Sequence, residues 1–68
     1  MDRYLKQLGQ GWVKMEDNSY HRKINDRETT KVVRVEKEWV ACLLIDGKPV
    51  YGHCYPSFKQ LNAAVQGS

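Results

Sequence analysis

His53 and Cys54 stand side by side in WVACLLIDGKPVYGHCYP, residues 39 to 56, and a histidine next to a thiol is the first pair in this chain whose types could do chemistry. A cysteine nucleophile needs its base within hydrogen-bond reach and a third group to orient that base. Neighbours along a strand project to opposite faces, so these two cannot exchange a proton, and no acid is placed to orient the imidazole. His21, Cys42, His53 and Cys54 are all metal-ligating types, but no pair of them has the spacing of a zinc site. His53 is expected to pack between Tyr51 and Tyr55 at a wet margin. The carboxylates offer no acid–base pair: Asp46 belongs to a turn, Glu36 and Glu38 flank Lys37, and Asp17 and Asp26 sit in polar runs. No glycine loop is present that could cradle a phosphate. These readings predict a protein that is not an enzyme and holds no cofactor or metal.

The charge pattern points elsewhere. The formal charge is +3, and residues 1 to 20 and 38 to 68 are each internally balanced. Residues 21 to 37, HRKINDRETTKVVRVEK, hold six basic side chains against three acidic ones, so the whole excess lies there. Arg22, Lys23, Arg27, Lys31, Arg34 and Lys37 are the candidate contacts to a phosphate backbone, with Tyr51 and Tyr55 available to stack on bases if exposed. The same residues also suit a solvated loop and an edge strand whose lysines discourage aggregation.

The elements that must position these groups can be read from the pattern. Leu5, Leu8 and Trp12 follow Met1 at helical spacing, Asp2 suits an N-cap and Gly9 a stop, which predicts a helix over residues 2 to 8. WVKME and YHRKI flank the turn former DNS and suggest a first hairpin, NDRET reads as a polar loop, and TKVVRVE is rich in β-branched residues. Two further strands lie either side of Asp46-Gly47, a type I′ turn signal. At the end, Ser57 and Gln60 fit a capping box, and Phe58, Leu61 and Val65 fall on one face of a helix over residues 58 to 66, with Gly67 as its stop.

A two-residue turn at Asp46-Gly47 pairs Ile45 with Lys48, Leu43 with Val50, Cys42 with Tyr51 and Trp39 with Cys54. One face then carries Trp39, Ala41, Leu43, Ile45, Val50 and Cys54, and the other Val40, Cys42, Leu44, Tyr51, His53 and Tyr55. Both faces are apolar, and the C-terminal helix can cover only one. The face with Trp39, Ala41 and Leu43 is the expected one, since small Ala41 and Gly52 would let a helix approach. The second face then needs the N-terminal segment, a second copy or a partner. Cys42 and Cys54 are expected as two free, mostly buried thiols, on opposite faces by this register. The link between TKVVRVE and EWVACLLI is open: two connecting residues place Val33 and Val35 with Val40 and Cys42, and three place them with Trp39 and Ala41.

Sixty-eight residues make one domain, residues 1 to 68, and so short a chain buries only about 60% of its unfolded surface. Its 41% apolar and 28% charged content is that of a globular chain. No window approaches the roughly 18 apolar residues of a membrane span, and MDRYLKQLGQ lacks the features of a secretory signal, so a cytoplasmic, reducing location is expected.

W-V-A in a strand, DGKPVYG at the turn, YPS after the strand and LNAAV in a closing helix resemble the three-strand-plus-helix domain of ethylene-response transcription factors. The amino-terminal arm-binding domains of phage tyrosine integrases have a similar shape. The resemblance spans residues 32 to 66 and implies that the sheet face opposite the helix enters the major groove. Arg34 and Lys37 would then be the possible equivalents of the base-reading side chains.

The sequence therefore predicts an α+β domain: a small antiparallel sheet of three to five strands, a C-terminal helix packed on one face and a short N-terminal helix. Its expected function is non-enzymatic binding, to nucleic acid through the phosphate backbone. The alternative is a small protein-binding regulator or inhibitor that uses a strand edge or the face with Val40, Leu44, Tyr51, His53 and Tyr55, with a homodimer as one form.

Overall fold

In the computed structural model, which describes residues 2–66, the chain forms a five-stranded antiparallel meander with both helices on one side. Met1 and Gly67, to which a helix face and a helix stop were assigned, lie outside the described residues. The elements are α1 (Arg3–Leu8), β1 (Trp12–Lys14), β2 (Tyr20–Lys23), β3 (Glu28–Val35), β4 (Glu38–Ile45), β5 (Lys48–Tyr55) and α2 (Phe58–Gln66). Strand order follows chain order, so β1 and β5 are the edges.

Each element begins or ends where local chemistry dictates. Asp2 caps α1, its carboxylate accepting from the Tyr4 and Leu5 amides at 2.9 and 3.2 Å. Ser57 caps α2 by accepting from the Gln60 amide at 3.3 Å. Asp46 and Gly47 both have positive φ, 52° and 81°, as a type I′ turn requires. The β3–β4 link is the two-residue form: Val35 pairs with Glu38 and Val33 with Val40.

The core lies between the helices and one sheet face. Leu8, Trp12, Tyr20, Val32, Trp39, Leu61 and Val65 are its buried residues, and Tyr4, Leu5, Ala41, Tyr55 and Phe58 pack against them. Tyr4, Trp39 and Phe58 form a triangle of aromatic rings with centroids 4.8 to 4.9 Å apart, tying both helices to β4. The helix therefore covers the Trp39 and Ala41 face, as expected, but the N-terminal segment joins it there instead of covering the second face.

One expectation about register is overturned. Leu44 pairs with Pro49 and Leu43 with Tyr51, so Val50 is an extra residue, a β-bulge. Beyond it every β5 side chain changes face. Trp39 faces Tyr55, Ala41 faces His53 and Cys42 faces Gly52, not Cys54, Gly52 and Tyr51 respectively. Tyr51, His53 and Tyr55 consequently stand on the helix side, and Cys54 joins Val40, Cys42 and Leu44. The two cysteines are free and now share a face as diagonal neighbours. Cys42 is half-buried, but Cys54 is exposed, contrary to the expectation of two mostly buried thiols: it lies on the outermost strand, with no element over it.

Candidate functional site

The sheet face turned away from the helices is the surface that needs explaining. An antiparallel sheet with one wet face ordinarily alternates apolar inward and polar outward residues. Strand β4 does not: Trp39, Ala41 and Leu43 face the helices, and Val40, Cys42 and Leu44 face away. Val33 lies opposite Val40, and Cys54 lies opposite it on the other side. These residues form a continuous apolar stripe across β3, β4 and β5. The described helices and core side chains all lie on the other side of the sheet.

Towards β2 the same face becomes polar and basic. His21 pairs with Lys31, and Lys23 pairs with Thr29, so two lysines, a histidine and a threonine form a patch beside the stripe. Lys31 has a carboxylate near it, Asp17 at 3.9 Å. The uncovered face is thus apolar in the middle and positively charged along one flank.

The six basic residues of the central segment do not share one surface. Lys23 and Lys31 are on the uncovered face. Arg22 is on the helix side with its guanidinium over the Trp12 ring, 5.3 Å from the centroid. Arg34, paired with Trp39, is also on the helix side, and its Nε donates to the Glu36 carbonyl at 3.2 Å. Arg27 and Lys37 lie in the connections beyond opposite ends of β3, an eight-residue strand of about 27 Å. Arg27 is also paired with Asp46, its Nε and Nη2 donating at 3.3 and 3.0 Å. Both partners of that pair are well exposed, and exposed ion pairs contribute little. Arg27→Ala is accordingly expected to move the melting temperature by less than about 5 °C. A larger shift in a thermal melt would show that the pair also fixes the β2–β3 turn.

The side chains proposed for protein docking divide in the same way. Val40 and Leu44 belong to the uncovered face. Tyr51, His53 and Tyr55 line a shallow groove of about 270 Å³ on the helix side, with Leu43, Thr30 and Ile24. Helix α2 spans about 13 Å against strands of twice that length, so the turn end of the sheet stays open there. Tyr51 is 67% exposed in this groove, and the His53 ring lies against Tyr55 with centroids 4.6 Å apart.

A constellation that the sequence reading did not single out joins Asp17, Ser19 and His21. The Ser19 hydroxyl donates to the Asp17 carboxylate, and His21 Nε2 lies 3.2 Å from the same hydroxyl oxygen. The bond from Ser19 is the main reason the Asp17 carboxyl is held below its usual range, helped by the Ser19 amide. A nucleophilic relay places the histidine between the acid and the serine. Here the serine is in the middle and fully buried, so the arrangement fastens the β1–β2 loop to the uncovered face. On the helix side, Arg3 donates to the Tyr4 hydroxyl at 3.0 Å. That bond and the nearby charges of Arg3 and Arg34 draw the phenol below its ordinary range. Among the described residues, no three of His, Cys, Asp and Glu come together as a metal site, and no helix is long and apolar enough to cross a membrane.

Thr29 is a member of the uncovered surface that sequence reasoning did not assign, and Val33 is one whose face it left open between two registers. Once the β3–β4 turn is fixed at two residues, alternation alone assigns both of them to that face. Comparison with protein-family models, with curated proteins and with solved structures finds no match for this chain.

Proposed function

We propose that this protein is a non-enzymatic binding module whose working surface is the uncovered sheet face, and that the occupant is another protein. The observation that carries this reading is strand β4, which is apolar on both faces while the chain's own helices cover only one. A stripe of Val33, Val40, Cys42 and Leu44 costs solubility unless something lies on it. Lys23 and Lys31 along its flank favour a partner surface that is apolar at the centre and acidic on that side.

Val33→Thr with Val40→Thr tests this with little change of shape, because threonine keeps the β-branching that suits a strand. The double variant is expected to melt close to the native protein and to lose at least about tenfold in partner affinity, as truncation of a buried apolar anchor does. Equal retention of the same partner by native and double-variant protein, both immobilised, would contradict the reading.

Nucleic acid is the second reading, and a specific observation favours it: Lys23, Lys31, His21 and Thr29 stand together on the face that the resemblance to sheet-reading DNA-binding domains would turn to the groove. Arg34 lies on the opposite side, so base contacts would have to come from Thr29 and the lysines. Phosphate-driven binding would weaken steeply between about 50 and 200 mM salt and would disappear with Lys23→Ala and Lys31→Ala combined. Titration of labelled duplex and single-stranded DNA at both salt concentrations decides between the two readings.

A further inference from the structure

The outer edge of β5 is a separate feature from the uncovered face. Natural sheets blunt such edges with lysine, proline or a bulge, and β5 has all three in its first half: Lys48, Pro49 and the bulge at Val50. Its second half, residues 51 to 55, has none of them. Nor do residues 50 to 55 carry any formal charge, so two copies of this +3 chain can approach there without meeting like charges.

The order of these five residues adds a symmetry. Tyr51, Gly52, His53, Cys54 and Tyr55 read the same by size in both directions about His53. An antiparallel pairing of β5 with a second β5, its two-fold axis at His53, sets Tyr51 opposite Tyr55 of the second copy and His53 opposite itself. All of these aromatic side chains lie on the helix side, where aromatic cross-strand pairs are favourable. On the other side, only Gly52 and Cys54 meet, both small. A two-fold interface requires a patch that complements itself, and this strand does.

We propose that residues 51 to 55 of β5 form a homodimer by edge-to-edge pairing with a second copy, joining two five-stranded sheets into one of ten strands. The two grooves lined by Tyr51 and His53 then flank the axis, and Tyr51, 67% exposed in the single chain, is covered by the second copy. Such a pairing removes on the order of 1,000 Å² from water, near the lower limit for a specific interface, so a weak, concentration-dependent dimer is expected.

Sedimentation equilibrium of the intact protein from about 5 to 500 µM tests this directly. The expected result is a mass rising from that of one chain to that of two. His53→Lys, which sets two ammonium groups against each other across the axis, should weaken the dimer at least tenfold. Tyr51→Ser, at a position that holds little in the single chain, should weaken it while leaving the melting temperature of the dilute protein unchanged. Gln10→Lys, at an exposed turn residue beside the far edge strand, should change nothing. A single-chain mass throughout the range would overturn the proposal, as would a dimer that Tyr51→Ser and His53→Lys leave as tight as before. Neither result bears on the uncovered face, whose variants are at Val33 and Val40.

Discussion

Trp39→Ala is expected to remove a large part of the stability of the fold. Trp39 is 4% exposed and sits where α1, α2 and β4 meet, its ring against Tyr4 and Phe58. Removing a buried tryptophan costs about 3–5 kcal/mol through lost transfer energy and the cavity left behind. A domain of this size has roughly 3–10 kcal/mol of stability in all. Collapse around the gap is limited, because Leu61 and Val32 beside it are already fully buried. A thermal unfolding curve followed by circular dichroism should show the midpoint falling by 15 °C or more. A loss below about 1 kcal/mol would mean that the helices hold the sheet by other contacts.

Asp2→Ala is the second substitution with a large expected effect, because one carboxylate does several jobs. Its Oδ1 caps α1, while Oδ2 accepts from the Tyr20 hydroxyl at 2.6 Å and pairs with Lys14 at 2.9 Å. The first helix is thereby fastened to β1 and β2. Losing the cap costs about 1 kcal/mol, and leaving the hydroxyl of buried Tyr20 unpaired costs about 1–3 kcal/mol more. Asp2→Ala should therefore cost about 2–4 kcal/mol, and Asp2→Asn less, since its amide oxygen can still cap.

The same contacts set a pH dependence. The bonds from Tyr20 and Lys14, in that order, hold the Asp2 carboxyl well below its usual range. The folded state thus keeps the carboxylate at a pH where the unfolded chain takes up a proton. The stabilisation is complete above about pH 5 and declines as pH falls below the unfolded value of about 3.9. Burial, and then the bond to Asp2, pushes the Tyr20 phenol above its ordinary range, so its stabilisation is complete below the unfolded value of about 10 and is lost as pH rises past it. Native protein should show a plateau of stability between about pH 5 and 9. The Asp2→Asn variant should show a shallower decline on the acid side, and an unchanged acid limb would contradict the assignment.

Much of this architecture was legible in the sequence. Asp2, Ser57 and the Asp46-Gly47 turn act through their own backbone neighbourhoods, so their local signals survive intact in the fold. The bulge at Val50 did not announce itself, because an extra residue in a strand leaves no mark in composition. Pro49, which cannot donate to a ladder, was the available hint of irregular pairing. Missing that one residue moved Tyr51, His53 and Tyr55 to the wrong face and split the expected docking patch in two. The basic segment was misleading for a related reason: alternation along β2 and β3 sends Arg22 and Arg34 to one side of the sheet and Lys23 and Lys31 to the other. The lock of Asp17, Ser19 and His21 depends on how a loop closes, and spacing alone cannot reveal that.

Val33, Val40, Cys42 and Leu44 are proposed as a surface for another protein. The most direct test is a two-dimensional NMR titration of isotope-labelled native protein with the partner that native protein retains and the Val33→Thr, Val40→Thr double variant loses. Methyl and amide signals of Val33, Val40, Cys42 and Leu44 are expected to shift first and furthest, with Lys23 and Lys31 at the margin, while α1 and α2 stay still. Shifts centred on Leu43, Tyr51 and Ala64, on the helix side, would contradict the proposal and place the working surface in the groove.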